Sequence, residues 1–113
     1  MMANLSARLF LAQRVSAVVL AVAVAVHLVG ILVAVRTELT AADVLARTRG
    51  NGLFLAYYSV FVIAAAVHAP IGLRNVVREW SPWRGRSLDL AMAGLAGIIL
   101  LLGLRAAIAV YAA

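Results

Sequence analysis

Of the 113 residues, 66% are hydrophobic and 12% charged, with a mean hydropathy of +1.08; a soluble domain this small has too little interior to hide so much apolar surface, so the composition calls for lipid as solvent. The basic residues are ten arginines with no lysine, set against four acids for a net charge of +6. They stand at the ends of apolar runs, as headgroup anchors do, and do not form a phosphate-reading patch, which speaks against nucleic acid as a partner. Cysteine is absent, which removes disulfides, thiolate-held zinc, iron–sulfur clusters and thiol catalysis from this sequence.

The pattern predicts one all-α membrane domain over residues 1–113, with spans near 10–36, 53–76 and 88–112 and a short interfacial helix near 40–48. Ser6 is placed to cap the first helix. The uncharged run 15–35 is long enough to cross a hydrocarbon core at about 1.5 Å per residue. It is too long for a signal-peptide core and lacks a clean small-residue cleavage site, so it reads as a retained helix. Thr40-Ala41-Ala42-Asp43 is a capping-box pattern that opens the interfacial helix. Gly50-Asn51-Gly52 then breaks the chain. The second uncharged run, 53–73, ends at Arg74, and Ser81-Pro82-Trp83-Arg84-Gly85 makes the next turn. Ser87 is placed to cap the third helix, whose apolar run is interrupted only by Arg105. Gly94, Gly97 and Gly103 on that helix offer close approach to a neighbour. With three spans, Arg8, Arg14, Arg74, Arg78, Arg84 and Arg86 share one side, and Arg36, Arg47, Arg49 and Arg105 the other. The positive-inside rule therefore places the N-terminus in the cytoplasm.

Polar side chains inside a span are costly and point to function. His68 lies six residues before Arg74, about 9 Å below the cytoplasmic boundary. His27 lies 13 residues beyond Arg14, about 20 Å from the same boundary. Two axial nitrogens of one iron stand about 4 Å apart, given bonds near 2 Å. The two imidazoles therefore do not share a metal, and each needs a counterpart from another chain. Ala64, Ala65, Ala66 and Ala69 leave room beside His68 for a flat macrocycle. Pro70 frees a backbone carbonyl and invites a kink, and Gly72, one turn on, leaves that face of the helix bare. Arg74 stands at the right level to meet haem propionates. Arg105 is expected at the depth of His27, where an anion such as a propionate would satisfy its charge.

The stretch His68-Ala69-Pro70-Ile71-Gly72-Leu73-Arg74-Asn75-Val76-Val77-Arg78-Glu79-Trp80 resembles the haem-ligand segment of cytochrome b membrane anchors of succinate dehydrogenases and fumarate reductases. That family shows a histidine, a glycine four residues on, an arginine two after that, and later an acid followed by an aromatic. Gln13-Arg14-Val15-Ser16-Ala17 looks like the family's His-Arg-x-Ser/Thr-Gly entry to the first span, with Gln13 in place of the histidine and Ala17 in place of the glycine. Some members carry a serine where this chain has Phe10. The resemblance implies that His68 is the axial ligand of the haem nearer the cytoplasm, and that Arg14, Ser16, Glu79 and Trp80 surround a quinone. It further implies that His27 ligates a second haem farther from the cytoplasm, as in the two-haem branch.

On this reading the chain forms half of a helical bundle with a second anchor, identical or paralogous, in a bacterial cytoplasmic membrane. It carries haem b, one or two per complex and shared with the partner. It passes electrons between an iron–sulfur subunit and quinone, while a flavoprotein subunit works on the dicarboxylate. Two other classes remain open from sequence: a cofactor-free anchor or assembly subunit, and a small channel or holin-like protein. A soluble enzyme has no support, for there is no nucleophile–base set and no phosphate loop.

Overall fold

The computed structural model describes the backbone of residues 2–113 and the side chains from residue 4 onward. Four helices follow in order: α1 (Met2–Arg36), α2 (Ala41–Thr48), α3 (Gly52–Trp80) and α4 (Arg86–Ala112). α1, α3 and α4 are each long and apolar enough to cross a membrane. The protein is all-helical and multi-pass.

The long helices outrun the apolar stretches. α1 reaches back to Met2 because nothing before residue 10 breaks a helix, so Ser6 lies inside it and caps nothing. Its 35 residues extend about 52 Å, roughly 20 Å beyond a hydrocarbon core, which leaves Arg8 and Arg14 among headgroups. α3 runs unbroken through Pro70 and on to Trp80, past the expected boundary at 76. α4 starts at Arg86 with Gly85 at the N-cap, at φ 88°. Only glycine takes that backbone conformation without strain. Ser87 does not cap; its hydroxyl accepts a hydrogen bond from Trp83 Nε1 at 2.8 Å.

The connections are closely bonded. After α1, Leu39 N–H donates to Ala34 O at 3.0 Å and Glu38 N–H to Val35 O at 3.3 Å, with Glu38 left-handed at φ 55°; these are the two bonds of a Schellman motif. The expected capping box opens α2: Asp43 N–H donates to Thr40 Oγ1 at 3.2 Å, and Thr40 N–H donates to Asp43 Oδ2 at 2.9 Å. At its far end Thr48 Oγ1 donates to Val110 O at 3.0 Å and Gly50 N–H to Tyr111 O at 2.9 Å. These donors satisfy carbonyls that the last turn of α4 cannot satisfy itself. Asn51 Oδ1 caps α3 by accepting from Leu53 N–H and Phe54 N–H.

α3 is the central helix, packed against both α1 and α4. The buried residues include Ala23 of α1, Ala64 and Ala66 of α3 and Ala107 of α4, small side chains that bring backbones close where lipid offers no hydrophobic drive. The tightest point is Gly103, where a Cβ would stand 2.5 Å from Val62 Cγ1. Gly94 and Gly97 meet nothing within 4 Å, so of the three glycines only Gly103 serves packing within the chain. Val22, Leu32 and Leu101 are each more than half exposed, on surface left for lipid or for a further membrane chain.

Candidate functional site: two histidines at unequal depth

Toward the N-terminal end of α1, Ser16 meets His68 of α3, with Ser16 Oγ 3.4 Å from His68 Nδ1. Ser16 is buried and His68 half-buried. The serine hydroxyl also lies 3.1 Å from the backbone carbonyl oxygen of Gln13, to which it donates. His68 Nε2 makes no hydrogen bond among the described residues. One turn along α3, the space over Gly72 is taken by Gln13, whose Nε2 would stand 3.2 Å from a Cβ there. Gly72 therefore admits α1, because this face of α3 is the packed one, and does not leave the bare surface expected of it. Gln13 Oε1 is buried without a partner.

Around this pair lie the arginines. Arg14 is exposed, its guanidinium 5.6 Å from the centroid of the Phe10 ring, so Phe10 holds the arginine by a cation–π contact. Arg74 Nε donates to Asp89 Oδ1 at 2.8 Å, joining the end of α3 to the first turn of α4, where the helix dipole also favours a carboxylate. Glu79 and Trp80 lie exposed on the last turn of α3, Trp80 at 84%. Ser16 is thus buried beneath the end of the bundle at which the other candidate residues, Arg14, Glu79 and Trp80, are exposed.

The second histidine sits in a different setting. His27 lies edge-on to Tyr58 and Phe61 of α3, with ring centroids 6.0 and 5.8 Å away. Tyr57 anchors the same stretch by donating its hydroxyl to Ala23 O. His27, Gly30, Phe54, Tyr57 and Tyr58 line a cavity of about 600 Å³ that α2 borders with Arg47 and Thr48. That volume and its largely apolar lining suit a small-molecule ligand. Arg105 does not belong to it. It lines a groove on α4 with Gly97, Leu101 and Ile108. Similar depth did not bring Arg105 and His27 onto one face, because His27 packs on α3 while the groove of Arg105 is built from α4 alone. The cation at the His27 cavity is Arg47.

Two rulers measure the separation of the imidazoles. Along α1, His27 is 11 residues beyond Ser16, the contact of His68, which is about 16 Å. Along α3, Tyr58 and Phe61, the contacts of His27, precede His68 by ten and seven residues, or roughly 10–15 Å. One metal ion cannot bridge that distance. No group of three or more His, Cys, Asp or Glu converges among the described residues, but a haem asks only one protein ligand of each face. An imidazole held at Nδ1 and unpartnered at Nε2 fits that demand.

What neither histidine alone revealed was its surroundings. Gln13 and Arg47 stand out in the sequence only as a motif position and as a charge on one side, and they, with Asp89, Tyr57, Tyr58 and Phe61, are not read there as site residues. The aromatic trio at helical spacing was the one signal that could have found the His27 cavity.

Compared with known protein families, the chain matches one over residues 1–110, described as the succinate dehydrogenase/fumarate reductase transmembrane subunit. No curated protein and no solved structure gives a match.

Proposed function

Because the chain belongs to the succinate dehydrogenase/fumarate reductase transmembrane subunit family, and is thus a membrane-anchor component of that enzyme complex, we propose that it holds haem b through His68 and takes part in electron transfer to membrane quinone. The observation that carries this is the His68 imidazole, half-buried in a membrane span, engaged at Nδ1 by Ser16 and free at Nε2. When bound, the haem supplies a one-electron carrier between the iron–sulfur subunit and quinone. His68 offers one axial nitrogen, and a second anchor chain, identical or paralogous, offers the other. Arg74, with Nε committed to Asp89, presents its remaining N–H groups to propionates at that level. His27 is the matching ligand for a second haem deeper in the membrane, with Arg47 as the nearby cation.

The exposed Arg14, Glu79 and Trp80 form this chain's share of a quinone site, completed by the iron–sulfur subunit docked on the cytoplasmic face of a bacterial inner membrane. Trp80 can donate its indole N–H to a quinone carbonyl, and Glu79 can deliver a proton to the reduced headgroup. Dicarboxylate chemistry stays on the flavoprotein subunit. Succinate added to the purified complex tests this directly. A b-type α-band should develop in the wild type and be lost or halved in His68→Ala, whereas a complex with no b-type absorbance would leave a cofactor-free anchor.

A further inference from the structure

We infer that Ser16 is a positioning residue for His68, fixing the imidazole in the tautomer that carries its proton on Nδ1 and its lone pair on Nε2. Resting on the haem reading of His68, this gives Ser16 a role apart from quinone. A serine hydroxyl has one hydrogen to donate. Ser16 gives it to the Gln13 backbone carbonyl at 3.1 Å, the local bond that serines inside helices commonly make. Toward His68 Nδ1, 3.4 Å away, its oxygen can then only accept. The proton of a neutral imidazole must therefore sit on Nδ1, and Nε2 is left as the ligating nitrogen. The carbonyl of Gln13, the hydroxyl of Ser16 and the ring of His68 form one directional chain from the backbone of α1 to the lone pair. Ser16 is 5% exposed, so water does not readily take its place. Groups that hold the second nitrogen of a ligating histidine set its orientation and basicity. A buried hydroxyl, neutral and a weaker acceptor than a carboxylate, tunes the ring without making it anionic.

The test uses the complete complex with Ser16→Ala, Ser16→Thr and His68→Ala. Ser16→Ala leaves Nδ1–H unpaired and the ring free to turn. Haem should then be retained about 10-fold more weakly or worse, in line with other losses of an outer-shell partner. The midpoint potential of the remaining haem should rise as the ligand becomes less basic, and its low-spin EPR g-values should shift. Ser16→Thr keeps the hydroxyl and should restore all three. If potential, g-values and haem retention of Ser16→Ala superimpose on the wild type while only the KM for quinone changes, Ser16 is a quinone residue and the inference is overturned. His68→Ala separates this failure from that of the parent reading. Full haem content in that variant removes His68 as ligand, and the Ser16 assignment with it.

Discussion

Arg47 is the one charged residue among those lining the His27 cavity, and a guanidinium beside an apolar slot is stabilised by an anion that it can grip with two N–H groups. If that anion is a propionate of a haem on His27, Arg47→Gln removes a charged hydrogen bond of about 1.5–3 kcal/mol, and retention of that haem should weaken roughly 10-fold or more. Arg105→Gln, on the separate α4 groove, should leave it unchanged. Haem content after dilution into detergent distinguishes the two, and the reverse pattern would return the role to Arg105. The contrast shows what could be read in the sequence at this scale. His27, His68 and Arg105 stand out because imidazole or guanidinium in lipid is costly wherever it points. Which cation faces which histidine depends on the rotation of each helix about its axis, and spans as uniformly apolar as α1 and α4 carry no periodic stripe to fix that rotation. Asp89 escaped for the same reason, since its pairing with Arg74 joins helices whose relative placement the sequence does not encode locally.

Helix ends and crossings carry predictions of their own. Gly103→Ala would drive a Cβ to 2.5 Å from Val62 Cγ1, and the stiff β-branched valine has little room to yield. Overpacking of this kind costs about 1–3 kcal/mol. Gly97, with nothing within 4 Å, should accept alanine with no loss from within the chain. Thermal unfolding of the two variants in detergent checks the pair, and equal melting points would contradict the packing described. At α2, hydrogen bonds from the Thr40 backbone and then its side chain hold Asp43 below its ordinary value of 3.8. A carboxylate with a lowered folded pKa lends its stability fully above the ordinary value and loses it as pH falls through the lower one. The N–H of Gly50, bonded to Tyr111 O, should therefore stay protected from hydrogen exchange down to about pH 4 and lose protection below. In Asp43→Asn the protection should no longer change with acid; identical acid profiles would refute the link. The capping box was legible because its signal is four consecutive residues. The cap of α4 was misplaced because Ser87 reads as a capper while the left-handed Gly85 works through conformation alone.

As a whole, the chain is a three-span layer with α3 at its centre and two separate imidazole sites on the α1–α3 side. Hydropathy made the three spans plain, the capping-box pattern made the short helix plain, and spacing from the boundary arginines gave the unequal depths that the helix contacts repeat. The order of packing was not legible, since spans apolar on every side do not say which neighbour they choose. Each site holds one histidine only, so two ligands per iron require a second anchor chain, and the large exposed apolar surface on the spans leaves room for one. The central claim is that His68 and His27 bind separate haems. It is met most directly by haem-to-flavin stoichiometry in purified complexes carrying His68→Ala, His27→Ala and both. Each single variant should lose a different part of the b-type spectrum, and the double variant should retain none that depends on this chain. Unchanged haem content in both single variants would contradict the account.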